Sequence, residues 1–326
     1  MKPTTLILRT AGTNCDVETA YAFELAGARA QRVHINEILS RPARLNEYQL
    51  LAIPGGFSYG DDIAAGRIFA NQIVHHLRDA VRAFIEAGKP AIGVCNGFQV
   101  LVKTDLLPGA LAGRAGQNCT LAQNDCGRFI DRWITLRTVS KRCIWTQGLG
   151  SDDENDTPRE PHRASANSFI AASGSSGLAS GRGASGAGTE SGAISGAGSG
   201  AGAGGTLELP IAHGEGKFVA ADESVRAALW ENDQVALVYT KADGSPARGE
   251  FPDNPNGSVD DIAGVCDASG LVLGLMPHPE RFVTSIQHPA WTRRAVESGT
   301  VNRDGAGIKL FRNAVRHVQD AVGAGI

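Results

Sequence analysis

Short apolar runs alternate with stretches of helical spacing over the first hundred residues. TLILRT (5–10) and LLAIP (50–54) read as buried strands, because apolar and β-branched positions run together and stop at turn residues. QRVHI (31–35) reads as another strand between them. Asp16 to Ala28 has the spacing of a helix and stops near Gly27. Residues 61–87 carry a longer helical pattern, with a break expected near Gly66. AIGV (91–94) reads as a fourth strand, followed by a helix from Asn96 to about Lys103. Such alternation predicts a doubly wound α/β fold, a mostly parallel sheet flanked by helices. Ligands in that class gather beyond the carboxyl ends of the strands.

After about residue 128, FIDRWITLRTV, LPIAHGEGKFV, QVALVYT, DIAGVCD and LVLGLMP read as strands joined by turns. A closing helix is expected at about 307–323, and these elements should extend the same domain. The stretch 151–206 breaks the pattern. It is first charged, then almost wholly Gly, Ala and Ser, and 13 of the 41 glycines lie between Ala171 and Gly205. A segment of that composition buries too little apolar area to offset its ordering entropy. The expectation is one domain over 1–326, interrupted at about 151–206 by a disordered Gly/Ala/Ser insertion.

Charge and cysteine usage narrow the function. The net charge is -3 and the pI about 6.2, with no basic stripe, which argues against nucleic-acid binding. MKPTTLILRT has no apolar core of a signal peptide, and no run of 18 apolar residues occurs, so the expectation is a cytoplasmic chain off the membrane. The cysteines at 15, 95, 119, 126, 143 and 266 form no C-x-x-C pair and no zinc spacing. Free thiols and no metal site follow as expectations.

Cys95 differs from the others in context. In AIGVCNGFQV, it ends an apolar strand, with Gly93 and Gly97 two places to either side. A thiol at a sharp strand-to-helix elbow faces the positive end of the helix, and the N–H after it can bind an oxyanion. The plainer reading of G-x-C-x-G is a buried cysteine at such a junction.

A thiol nucleophile needs a base, and the base an orienting group. In GLMPHPERF (274–282), the prolines should hold His278 extended, which would set His278 and Glu280 on one side of the chain. The plainer reading is a rigid turn carrying a surface His and a salt-bridged Glu. His213, in IAHGEG, is the rival base; His75 and His76 fall within the long helical pattern, and His34, His162, His288 and His317 have no local constellation. IPGGFSYGDD (53–62) follows a strand directly, and Gly55 and Gly56 offer N–H groups suited to an oxyanion, or else only a tight turn.

Together, PGGFSYGDD, GVCNGFQ and MPHPERF resemble the class I, triad-type glutamine amidotransferases, which have a flavodoxin-like fold. GTNCDVETAYAFELAGA, PIAHGEGKFV and NPNGS narrow the likeness to glutaminase subunits of phosphoribosylformylglycinamidine synthase, over nearly all of 1–150 and 206–326. The resemblance implies Cys95 as nucleophile, His278 as base and Glu280 as its orienter. It implies substrate or oxyanion contacts from Gly55, Gly56, Phe57, Asn96, Gln99 and His213. It further implies glutamine as substrate, a synthetase subunit as partner, and a small bridging subunit. No cofactor is expected in this chain; ATP and Mg belong to the synthetase. Two features depart from the family pattern: Ala11 where proline is common, and the Gly/Ala/Ser insertion. The rival readings are the glutaminase of another synthase, a non-catalytic module of the same fold, and a cysteine peptidase or chaperone.

Overall fold

The computed structural model describes residues 2–111, 113–149, 205–299, 301 and 303–323. The 151–206 segment falls outside them, except for Gly205 and Thr206; Thr206 already belongs to a strand, so the insertion ends before it. The described residues gather into one compact unit.

The chain opens with β1 (Thr4–Arg9), α1 (Asp16–Leu25) and β2 (Arg29–His34). Asp16 and Glu18 place negative charge at the helix N-terminus, and Gly27, at φ 99°, ends it with Ala28 N–H reaching back to Phe23 O at 2.9 Å. Next come α2 (Ile35–Ser40), a 3-10 turn at Pro42–Glu47, and β3 (Leu50–Ile53). The expected long helix is instead α3 (Arg67–His76) and α4 (Arg78–Glu86), broken at Leu77. Asp61 ends a 3-10 turn at Ser58–Asp61, and residues 62–66 are bend and turn, not helix. Gly66 (φ 71°) starts α3 rather than interrupting it, and the break falls at Leu77 (φ -127°), which is buried. Then follow β4 (Ala91–Val94), α5 (Asn96–Lys103), β5 (Cys119–Ala122) and β6 (Ile130–Thr138).

Beyond the insertion lie β7 (Thr206–His213), β8 (Lys217–Ala220), α6 (Glu223–Glu231), β9 (Val235–Thr240), β10 (Ile262–Cys266), β11 (Val272–Leu275), α7 (Trp291–Ser298) and α8 (Ile308–Gly323). The expected LPIAHGEGKFV strand is two strands, β7 and β8, split by the turn at 214–216.

The main sheet has the order β2-β1-β3-β4-β11-β10-β9-β6-β7, and β5 pairs with β8 apart from it. From β2 to β11 all pairings are parallel; β10, β9, β6 and β7 continue the sheet antiparallel. The parallel strands are buried on both faces: Leu6, Ile7, Leu50, Ile92, Val94 and Leu273 are each at most 1% exposed. α1 packs with α8, while α3 packs on α5. β1 lies between β2 and β3, so the strand order reverses there, and the loops after β1, β3, β4 and β11 meet at one end.

Candidate active site

Cys95 stands where β4 turns into α5, with φ 52° and ψ -106°, a positive φ that a side chain adopts only under constraint. The constraint comes from both sides. Cys95 N–H donates to Leu275 O at 2.8 Å, continuing the β4–β11 ladder, while α5 lies directly on β3. The flanking glycines permit that closeness: a Cβ on Gly97 would sit 1.8 Å from the Ile53 carbonyl oxygen, and one on Gly93 would sit 2.5 Å from the Gly97 carbonyl oxygen. The thiol is 6% exposed and its Sγ donates to Ala212 O at 3.7 Å. α5 begins at Asn96, so the N–H groups of its first turn lack intrahelical partners.

His278 arrives two residues past Met276, whose N–H bonds Ala263 O, and is fixed by its own N–H to Pro210 O at 2.8 Å. Its Nδ1 lies 2.6 Å from Glu280 Oε1, and both side chains are buried, Glu280 completely. The expected extended backbone is corrected here. Pro279 opens a 3-10 turn, Pro279–Arg281, because a proline ring suits the first helical position, and that turn swings the carboxylate under the imidazole. Burial opposes charge on His278, but the Glu280 carboxylate and the nearby Cys95 and Cys15 thiols outweigh it and hold the imidazole pKa well above its ordinary value. Nε2 has no hydrogen-bond partner at strict geometry, although both thiols act on its charge.

The sequence reading missed Cys15. It follows β1, is 1% exposed, donates to Asn14 Oδ1 at 3.2 Å and accepts from Arg281 Nη2 at 3.1 Å. Burial pushes its thiol pKa up, against the pull of the neighbouring His278 imidazole and Arg281. Gly55 lies at the centre of this cluster: a Cβ there would come within 2.9 Å of His278 Cε1, 3.2 Å of Cys15 Sγ and 3.4 Å of Cys95 Cβ. Gly55 thus keeps open the space between base and nucleophile. The donor atoms of Cys15, His278 and Glu280 also lie within 4.8 Å of one another, and within that group His278 Nδ1 is paired with Glu280 Oε1.

A cavity of about 430 Å3 opens over this cluster, within the usual size of small-molecule pockets. Gly56, Phe57, Gln99, His213 and Arg281 line it with Cys15, Cys95 and His278. Gly56 (φ 134°) is held against the 12–14 loop, where a Cβ would meet Asn14 N at 2.6 Å. The Phe57 N–H donates to Gly12 O at 3.0 Å, so it is not free for substrate; its half-exposed ring stacks on Phe129 with centroids 6.5 Å apart. The Asn96 side chain donates to Asp61 Oδ1 (3.1 Å) and Gln99 Oε1 (3.0 Å), and Gln99 donates to Glu215 O at 2.6 Å. NPNGS acts from behind: Asn256 Nδ2 donates to Gly216 O at 2.8 Å, and Ser258 Oγ accepts from Phe218 N, fixing the 213–216 turn. A larger depression of about 680 Å3 beside α6 is lined by Glu223, Arg226 and Asp260, and Arg226 pairs with both carboxylates.

Residues 2–153 and 195–318 match the family model described as a CobB/CobQ-like glutamine amidotransferase domain. The chain is 39% identical over 316 residues to a Dehalococcoides mccartyi protein named phosphoribosylformylglycinamidine synthase subunit PurQ, covering 97% of each. The chain belongs to the PurQ family of glutamine amidotransferases. A Treponema denticola member is 38% identical over 295 residues, covering 87% of this chain and 89% of its own. A chain from the structure of PurLQS from Thermotoga maritima superposes with TM-score 0.60 at 26% identity, covering 97% of this chain and 99% of that one. Family membership and the clustering of Cys95, His278 and Glu280 thus rest on separate observations.

Proposed function

We propose that Cys95, His278 and Glu280 act as a nucleophile, base and orienter that hydrolyse glutamine, in the glutaminase subunit of phosphoribosylformylglycinamidine synthase. The observation that carries this reading is the fully buried His278–Glu280 pair, 2.6 Å apart, in one cavity with a thiol on a strained elbow. His278 takes the Cys95 proton as sulfur attacks the side-chain carboxamide carbon of glutamine. The carbonyl oxygen becomes an oxyanion facing the N–H groups of Gly56 and Asn96. Collapse forms the thioester, and His278 returns the proton to nitrogen, releasing ammonia. Water, deprotonated by the same imidazole, then cleaves the thioester to glutamate and free thiol.

The chain forms a single amidotransferase domain carrying the 151–206 insertion, takes no cofactor of its own and works in the cytoplasm. No described helix is long and apolar enough to cross a membrane. Its ammonia passes to a synthetase subunit, with a small bridging subunit between them. There ATP and Mg drive conversion of formylglycinamide ribonucleotide to the amidine. The test is glutamate and ammonia release from glutamine by the chain alone and with the synthetase. Release that rises on complex formation is expected; release from neither sample overturns the proposal.

A further inference from the structure

Cys15 takes no part in the reaction proposed above, yet it is buried beside the base. Cys15, Cys95 and His278 stand beyond β1, β4 and β11, three separate loops, so no zinc-like spacing in the sequence announces them. His278 Nδ1 is 2.6 Å from Glu280 Oε1. A carboxylate can only accept there, so Nδ1 carries a proton and the neutral ring presents a lone pair on Nε2. That nitrogen, on a side chain 1% exposed, has no hydrogen-bond partner among the described residues. The ligand atoms of Cys15 and His278 lie within 4.8 Å of each other. The ring edge, the Cys15 sulfur and Cys95 all face the space left by the missing Gly55 side chain. Arg281 Nη2 donates to Cys15 Sγ at 3.1 Å, a contact that favours the thiolate. Thiolate sulfur and imidazole nitrogen are the donors that zinc takes, and a metal-binding histidine characteristically gives its other N–H to a carboxylate. His278 and Glu280 already hold that arrangement.

We propose that His278 Nε2, Cys15 Sγ and Cys95 Sγ together bind a thiophilic divalent cation of the zinc type, which shuts the site by occupying base and nucleophile at once. The binding stands on these residues alone; the shutting of the site rests on the glutaminase reading above. On binding, two Zn–S bonds and one Zn–N bond form, and the thiol protons, with any proton on Nε2, leave to solvent. Two thiolates neutralise the ion and Arg281 balances Glu280, so the buried cluster carries no net charge. A nucleophile and its base would supply only two ligands. Cys15 adds the third, leaving the fourth tetrahedral position to water from the cavity that all three residues line. Glu280 keeps its place behind the ring and touches no metal. The ion is therefore an inhibitor that competes with glutamine, and removing it restores the free thiol and imidazole.

Two tests need no variant. X-ray absorption at the zinc edge, on the reduced chain with one equivalent of Zn2+, should fit two sulfur neighbours at about 2.3 Å and one imidazole nitrogen at about 2.0 Å. One sulfur or none overturns the proposal. Alkylation by iodoacetamide, mapped by mass spectrometry, locates the ion: Zn2+ should protect Cys95 and leave the exposed Cys126 reactive, and EDTA should restore Cys95. Cys95 alkylation that Zn2+ does not slow overturns the proposal. Loss of even an outer partner of a metal site costs about 10–100-fold in affinity, so loss of a ligand in Cys15→Ala should raise the Zn2+ concentration that half-protects Cys95 by about 100-fold. An unchanged concentration, in a variant that melts as wild type does, overturns the proposal. In the complex with the synthetase, Zn2+ should inhibit glutamine-driven synthesis, competitively with glutamine, and spare ammonia-driven synthesis on the same sample. Equal inhibition of both routes overturns the shutting of the site. A wild-type complex that never turns over glutamine, while Zn2+ still protects Cys95, supports the metal site and sinks the glutaminase reading.

Discussion

Replacing Glu280 by Gln removes a charge from a pair that water does not reach. His278 is 1% exposed and Glu280 0%, and Nδ1 and Oε1 are 2.6 Å apart. Glutamine fits the same space but cannot hold an imidazolium, and its amide can turn its NH2 toward Nδ1. That would favour the tautomer with the proton on Nε2, the nitrogen that must accept the thiol proton. Removing one partner of a buried ion pair costs about 3–5 kcal/mol. At about 1.4 kcal/mol per decade, the expected fall in glutamine kcat/KM is about two to three and a half decades. The loss should be smaller than that of His278→Asn, because the imidazole itself remains. The assay is glutamate formation by the chain in complex with the synthetase, with ammonia-driven synthesis measured on the same sample. A glutamine-dependent activity within tenfold of wild type, in a complex whose ammonia-driven synthesis is intact, refutes the assignment of Glu280 as orienter.

Cys95→Ala should abolish glutamine-dependent synthesis and leave ammonia-dependent synthesis intact; persistence of glutamine turnover would move the nucleophile elsewhere. Gly97→Ala places a methyl 1.8 Å from the Ile53 carbonyl oxygen, a backbone atom that can yield only if β3 or α5 moves. Its cost should reach about 3 kcal/mol, the upper range for overpacking, read as a fall in thermal melting temperature. The stability gap between wild type and Glu280→Gln should depend on pH: a raised His278 pKa contributes fully below the unfolded imidazole pKa of about 6.5 and is lost as pH rises through the higher folded value. Urea titrations at several pH values check this, and a gap that widens toward high pH contradicts it. Replacing residues 152–204 by a short Gly-Ser link should leave melting temperature and glutamine hydrolysis unchanged, on composition alone.

The alternation of strands and helices over the first hundred residues was legible because parallel strands buried on both faces read as continuous apolar runs, here TLIL, LLAI and AIGV. The short elements were not. α2, β5, α6 and α7 went unread, since a turn or two of helix, or four strand residues, carry too little periodicity to stand out. Leu77 breaks a helix with no glycine or proline to announce it.

For the site, G-x-C-x-G and P-H-P-E were readable as local chemistry, because each motif encodes its own backbone geometry: a strained elbow in one, a proline-opened turn in the other. Their meeting was a tertiary matter. Cys95 and His278 are 183 positions apart in number, and only the register of β4 on β11, with Val94 opposite Leu275, brings elbow and turn to the same edge. Cys15 looked like one more buried thiol until β1 was placed beside β3, and Asn124 had no signal at all, lying in a loop before β6. Sequence carries what a few neighbouring residues impose on their own backbone. The partner of His278 is written two residues on, but the partner of His213, Asn124, comes from another loop, and only packing decides that.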